Sequence, residues 1–176
     1  MNSKNIKKLI VASLMAALIC VATMVIQVPS PMNGYVNLGD CFVIIAAWLL
    51  GPIYGGLAGG IGSMLADLLS GYPHYAPGTF IIKGLMGVAV ALTYAPLKKV
   101  FKNKFLLPHL TTGILAEVIM IAGYFLYASL LLGKGLAAAA SIPGNIIQGI
   151  FGIICSTVLF GVLLKNKAVM NMVQDN

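Results

Sequence analysis

With 176 residues, 60% of them hydrophobic and 9% charged, and a mean hydropathy of +0.98, the chain lies far from the roughly 25% charged composition of a soluble domain. Its size is that of a single domain spanning 1–176, and its composition is that of an integral membrane protein. The net charge of +7 rests on lysines alone, most of them in short flanks of apolar runs, which reads as topology signalling and excludes a nucleic-acid-binding face.

The segment MNSKNIKK places Lys4, Lys7 and Lys8 ahead of an apolar run from Leu9 to Ile26. That run, about 18 residues, approaches the hydrocarbon thickness of a bilayer and exceeds the roughly 7–15 residues of a signal-peptide core, so it reads as an uncleaved first helix. A lipoprotein reading would use Cys20, but Ile19 precedes it where a small residue is needed. Ala12 and Ala16 form a small-xxx-small pair on this helix, with Ser13 and Ala17 beside them, suited to close contact with a partner helix or with this protein's own helices. Cys20, Cys41 and Cys155 have no CxxC spacing and read as packing residues.

Pro29, Pro31, Asn33 and Gly34 predict a loop, VPSPMNGYVNLGD, ending in Asp40 at the next helix start, where a carboxylate either caps the helix or meets a ligand. The apolar stretch from Cys41 to Ala66 would need about 39 Å as one helix, against a hydrocarbon core of about 30 Å. Two spans joined at Gly51-Pro52 fit better, and they bring the lysine clusters at 4–8, 98–104 and 165–167 to one side. The expectation is therefore an all-α membrane protein of six transmembrane helices with both termini cytoplasmic.

Glycines 55, 56, 59, 60 and 62 on the third span predict a bare stripe for helix packing. Asp67 follows about a turn from that span's outer end, then the loop GYPHYAPG with Tyr72, His74 and Tyr75. Lys83 lies about one turn into a fourth span running from Thr79 to Leu97, free to snorkel, to pair with Asp67, or to meet a ligand. A fifth span, about Leu107 to Leu132, holds Glu117 near mid-depth, Tyr124 and Tyr127. The last helix begins near Pro143 and carries Asn145 and Gln148 one turn apart, either as cap and interhelical glue or as ligand contacts.

By depth, Asp40, Asp67, His74, Lys83, Asn145 and Gln148 fall in one outer third although they come from separate segments. Charge near hydrocarbon is costly, so such residues line a cavity, pair, or touch a ligand. A polar pocket under aromatic loops suits capture of a small polar aromatic solute. Neither His74 nor His109 has a metal-ligand partner at useful spacing, and no Walker A, HExxH or GxSxG motif occurs. Two rival readings are an intramembrane enzyme using Asp67, Glu117 and His74, and a self-sufficient secondary transporter, for which paired broken helices or repeats are expected and none is seen.

Ala12-xxx-Ala16, GYVNLGD, the glycine-rich span ending LADLLSGYPHYAPGT, and IIKGLMG together resemble the S component of an energy-coupling-factor (ECF) transporter. The resemblance covers nearly the whole chain, and its specific part runs from Gly34 to Gly87. It implies the S-component fold and no enzymatic activity or bound cofactor. It implies capture of a vitamin or precursor near the outer surface of the cell membrane, and docking through Ala12 and Ala16 onto a transmembrane coupling subunit. Two cytoplasmic ATPases on that subunit would use the ATP. The subgroup it most resembles takes hydroxymethylpyrimidine or pyridoxine-type compounds; riboflavin, folate and queuosine-precursor readings stay open. Tyr35, Asn37, Asp40, Asp67, Tyr72, His74, Tyr75, Lys83, Tyr124, Asn145 and Gln148 are the candidate substrate contacts.

Overall fold

The computed structural model describes residues 3–30, 34–102 and 104–174. Pro31 and Asn33 of the expected loop lie outside the described residues. The first helix, α1 (Ser3–Val25), is followed by two short strands, β1 (Gln27–Ser30) and β2 (Gly34–Asn37). These pair antiparallel, Gln27 opposite Asn37 and Ser30 opposite Gly34, so what the sequence predicts as an irregular loop is a hairpin over one end of the bundle. Pro29 fits because both strands of a two-stranded ribbon are edges, where a missing N–H disrupts no inner ladder.

Next comes α2 (Gly39–Leu69), then α3 (Ala76–Val100), which starts with Pro77 in its first turn, where a missing N–H costs nothing. After the lysine-rich turn, α4 (Leu106–Leu126) continues into a π-helical turn (Tyr127–Leu131), and a 3-10 stretch (Gly135–Ser141) leads into α5 (Ile142–Leu163). A short amphipathic α6 (Lys167–Gln174), not anticipated from the sequence, lays Val169 and Val173 on the core.

Among the described residues, five helices are long and apolar enough to cross a membrane, where the sequence predicts six spans. The difference lies in α2. Gly51 is non-helical, at φ 77° and ψ −176°, a region essentially reserved for glycine, and Pro52 follows it. A Cβ on Gly55 would lie 2.7 Å from Ala47 Cα, and one on Gly59 would lie 3.0 Å from Val43 Cγ1. Residues eight apart on a straight helix stand about 12 Å from each other. The chain therefore doubles back at Gly51, and residues 39–50 run antiparallel to 52–69.

This folded-back element is the centre of the molecule. Most of its side chains are buried, whereas the other long helices turn Leu14, Leu85, Leu92, Val118 and Ile150 outward, as a lipid-facing surface requires. The glycine stripe serves packing, as expected: a Cβ on Gly62 would collide with the Ala16 carbonyl oxygen, and one on Gly87 would lie 2.9 Å from Gly56 Cα. At the end of the bundle away from the hairpin, Trp48 donates to Thr112 Oγ1 at 3.1 Å and packs edge-on to His109. The Tyr94 hydroxyl stands 3.0 Å from His109 Nε2, so this histidine belongs to an aromatic core.

Candidate functional site

A cavity of about 50 Å³ opens beneath the β-hairpin. The elements that enclose it each contribute from a fixed place. β2 hangs Tyr35 and Asn37 over it, the second arm of α2 brings Ser63 and Asp67, and α3 brings Thr79 and Lys83 from successive turns of one face. Tyr75, Tyr124, Asn145 and Gln148 complete it from the outer loop, α4 and α5. Tyr35, Asn37, Asp67, Tyr75, Lys83, Tyr124, Asn145 and Gln148 are thus brought together as the sequence predicts.

Three expected contacts stand elsewhere. Asp40 is fully buried below the cavity and does not line it. It is not the helix cap, and its carboxylate is engaged by protein groups: Lys83 Nζ pairs with its Oδ1, and Gln148 Nε2 donates to its Oδ2 at 2.6 Å. Lys83 accordingly pairs with Asp40 rather than with Asp67. Tyr72 packs behind the wall, its ring 4.8 Å from that of Tyr35. His74 is exposed on the rim, its ring 4.9 Å from Tyr75 and its carbonyl accepting from the Tyr127 hydroxyl at 2.9 Å.

The roof is tied to the floor. Gln148 Oε1 accepts from the Asn37 backbone N–H at 2.8 Å, and the Asn37 side chain accepts from the Gly39 N–H at 2.8 Å, closing the turn between β2 and α2. Tyr35 donates to Asp67 Oδ1 at 2.5 Å. Burial, then the Asp67 carboxylate, push the Tyr35 phenol well above its ordinary pKa, so it stays a donor throughout the physiological range. The Tyr124 and Thr79 hydroxyls lie 3.0 Å apart, and Lys83 Nζ sits 5.4 Å from the centre of the Tyr124 ring.

Several cavity-lining polar atoms have no hydrogen-bond partner among the described residues: Thr23 Oγ1, Ser30 Oγ, Ser63 Oγ and Asp67 Oδ2. Leaving a buried polar group unpaired costs about 1–3 kcal/mol each, so the arrangement is completed by a polar guest or by water. Thr23, Ser30, Ser63, Thr79 and Ser141 were missed from the sequence, where a lone hydroxyl in an apolar run is common helix packing. The usable signal was their spacing to residues already suspected: Ser63 and Asp67, like Thr79 and Lys83, are four apart and share a helix face.

Glu117 lies beneath the cavity against α5, where a Cβ on Gly152 would come 2.8 Å from its Oε1 and 3.2 Å from Asp40 Cβ. No set of three or more histidine, cysteine, aspartate or glutamate side chains is placed to hold a metal ion among the described residues. Ala12 and Ala16, expected to face a partner, are buried in the α1–α2 contact beside Gly62, while Ser13 and Ala17 occupy the exposed face of α1.

The model of a protein family, described as the S component of ECF-type riboflavin transporters, matches residues 3–165. The chain belongs to this S-component family. It is a multi-pass membrane protein and a substrate-binding part of a transporter, not an enzyme. A solved structure described as the S component of a bacterial ECF transporter shares the fold with a TM-score of 0.68 at 24% identity, covering 92% of this chain and 97% of that one. Among curated relatives, the thiamine precursor transporter HmpT of Lactococcus lactis subsp. cremoris is 30% identical over 173 residues, 97% of this chain and 95% of that protein. An uncharacterized protein of Pyrococcus woesei is 38% identical over 150 residues, 85% of this chain and 95% of the relative.

Proposed function

We propose that this S component captures a single-ring, hydroxymethylated nitrogen heteroaromatic, with a hydroxymethylpyrimidine-type thiamine precursor ahead of pyridoxine-type compounds. The observation that carries the reading is the set of polar atoms on Thr23, Ser30, Ser63 and Asp67 that have no partner among the described residues, on a cavity walled by Tyr35, Tyr75 and Tyr124. An exocyclic amine would donate to Asp67 Oδ2, a hydroxymethyl group would bond a serine or threonine hydroxyl, and the ring would lie against a tyrosine. The amides of Asn145 and Gln148 would fix its orientation.

Two further observations support the choice. The likeness to HmpT extends over nearly the full length of both chains. The cavity, about 50 Å³, suits one ring better than the three fused rings of riboflavin. Isothermal titration calorimetry of the purified chain with 4-amino-5-hydroxymethyl-2-methylpyrimidine, pyridoxine and riboflavin tests this. Saturable one-to-one binding of the pyrimidine is expected; binding of riboflavin with none of either single-ring compound overturns it.

On this reading the chain crosses the membrane six times, with both termini and the lysine-rich turn at 98–104 in the cytoplasm, supported by the fold-back at Gly51 and by the lysine distribution. Energy then comes from ATP hydrolysed by two cytoplasmic ATPases through a transmembrane coupling subunit. Because Ala12 and Ala16 are buried against α2, we place the coupling contact on the exposed Ser13 and Ala17 face of α1.

A further inference from the structure

A second cavity, larger than the candidate vitamin site, lies apart from it. About 270 Å³ in volume, it lies at the opposite end of the bundle, between the Gly51-Pro52 turn, the C-terminal end of α3, and Val173 of α6. We propose that it holds an anionic phospholipid, the headgroup phosphate at Lys98 and Lys99 and an acyl segment on the apolar floor.

The floor is made by Ala47, Trp48 and Ala91. The polar atoms of the two aromatic residues that line it are turned inward: Trp48 Nε1 bonds Thr112, and the Tyr94 hydroxyl faces His109. What remains to greet a guest is hydrocarbon plus two ammonium groups. Neither Lys98 nor Lys99 has a carboxylate partner among the described residues, and the described acids, Asp40, Asp67 and Glu117, all belong to the neighbourhood of the other cavity. Free phosphate would be poorly served by so apolar a lining, whereas a lipid offers both halves of the required chemistry. Apolar surface of the kind that faces acyl chains flanks the cavity: Ile53 and Leu92, the chain neighbours of lining residues Pro52 and Ala91, are 70% and 60% exposed. The lysines sit at the end of α3, the depth of a headgroup, and basic pockets between helices at this level are where anionic lipids bind.

Native mass spectrometry of the full chain in a non-ionic detergent, titrated with phosphatidylglycerol or phosphatidylcholine of identical chains, tests the assignment. Wild-type protein is expected to retain phosphatidylglycerol over phosphatidylcholine by about tenfold or more. Lys98→Ala/Lys99→Ala is expected to lose that preference, while Lys102→Ala/Lys104→Ala, which removes the same charge outside the cavity, keeps it. Ala95 also lines the cavity, and Ala95→Phe, which adds bulk there and leaves both lysines, is expected to lower retention as well; circular dichroism confirms that each variant is folded. Equal retention of the two lipids by the wild type, or an unchanged preference in Lys98→Ala/Lys99→Ala, overturns the proposal. Displacement of the lipid by millimolar inorganic phosphate assigns the lysines to a free anion and overturns it too, as does the absence of any retained phospholipid on the wild-type chain.

Discussion

Asp40, Lys83 and Glu117 are each 4% exposed or less. With two carboxyl groups and a single ammonium, the ammonium is the member whose loss the cluster tolerates least. Lys83→Met is expected to cost about 3–5 kcal/mol of stability, because it strands Asp40 in the interior, and Lys83→Met/Asp40→Asn should recover most of that. Chemical unfolding of the two variants in detergent reads the difference; a single variant as stable as wild type would show that the pair contributes nothing. Asn145, by contrast, lines the cavity near the start of α5 and takes no part in that charge cluster. Asn145→Ala should therefore spare the fold and weaken ligand binding by more than tenfold, about 1.4 kcal/mol. Calorimetry that finds unchanged affinity removes it from the site. The pairing of Lys83 with Asp40 was not legible in the sequence. Depth can be counted from a helix end, but the direction a side chain takes around its axis depends on how neighbours pack, so the sequence pointed to Asp67 where the structure pairs Lys83 with Asp40.

Among the elements, α2 depends on one residue. Gly51 holds a backbone conformation that a Cβ disfavours, so Gly51→Ala should cost about 1–3 kcal/mol and loosen the contact between residues 39–50 and 52–69. A drop in thermal midpoint with altered accessibility of Cys41 to a thiol reagent would report it; an unchanged midpoint would mean the turn bears no strain. The turn itself was readable, because a Gly-Pro pair in the middle of an apolar run too long for one crossing marks a chain reversal. The β-hairpin was not, since two prolines in a short polar stretch predict irregular chain, and the pairing depends on α5 beneath it. On α1 the alanine spacing was visible but not its facing. Ala17→Trp is expected to block uptake in cells while the purified chain binds ligand normally, and Ala16→Trp to destabilise the protein by overpacking against Gly62. Equal loss of uptake at equal stability for both would return the docking face to Ala16.

For the molecule as a whole, composition and lysine placement made the membrane class and the segregation of polar residues legible, because a bilayer penalises every alternative. The chain has a polar cavity at one end and a packed aromatic core toward the other, so a solute held under the hairpin would meet close-packed rings on the far side. Purified alone into vesicles, it is expected to bind ligand without accumulating it, and to accumulate it once the coupling subunit and ATPases are added with ATP. Radiolabel trapped inside vesicles by this chain alone would make it a complete carrier.

The bond from the Asn37 backbone to Gln148 has a kinetic meaning. Gln148 holds the hairpin with one end of its amide and Asp40 with the other, so any displacement of β2 that breaks the first bond would also disturb the charge cluster below. If a solute enters past β2, its exchange with the medium is then tied to a cooperative unlatching rather than to the swing of one strand, and a long residence is expected.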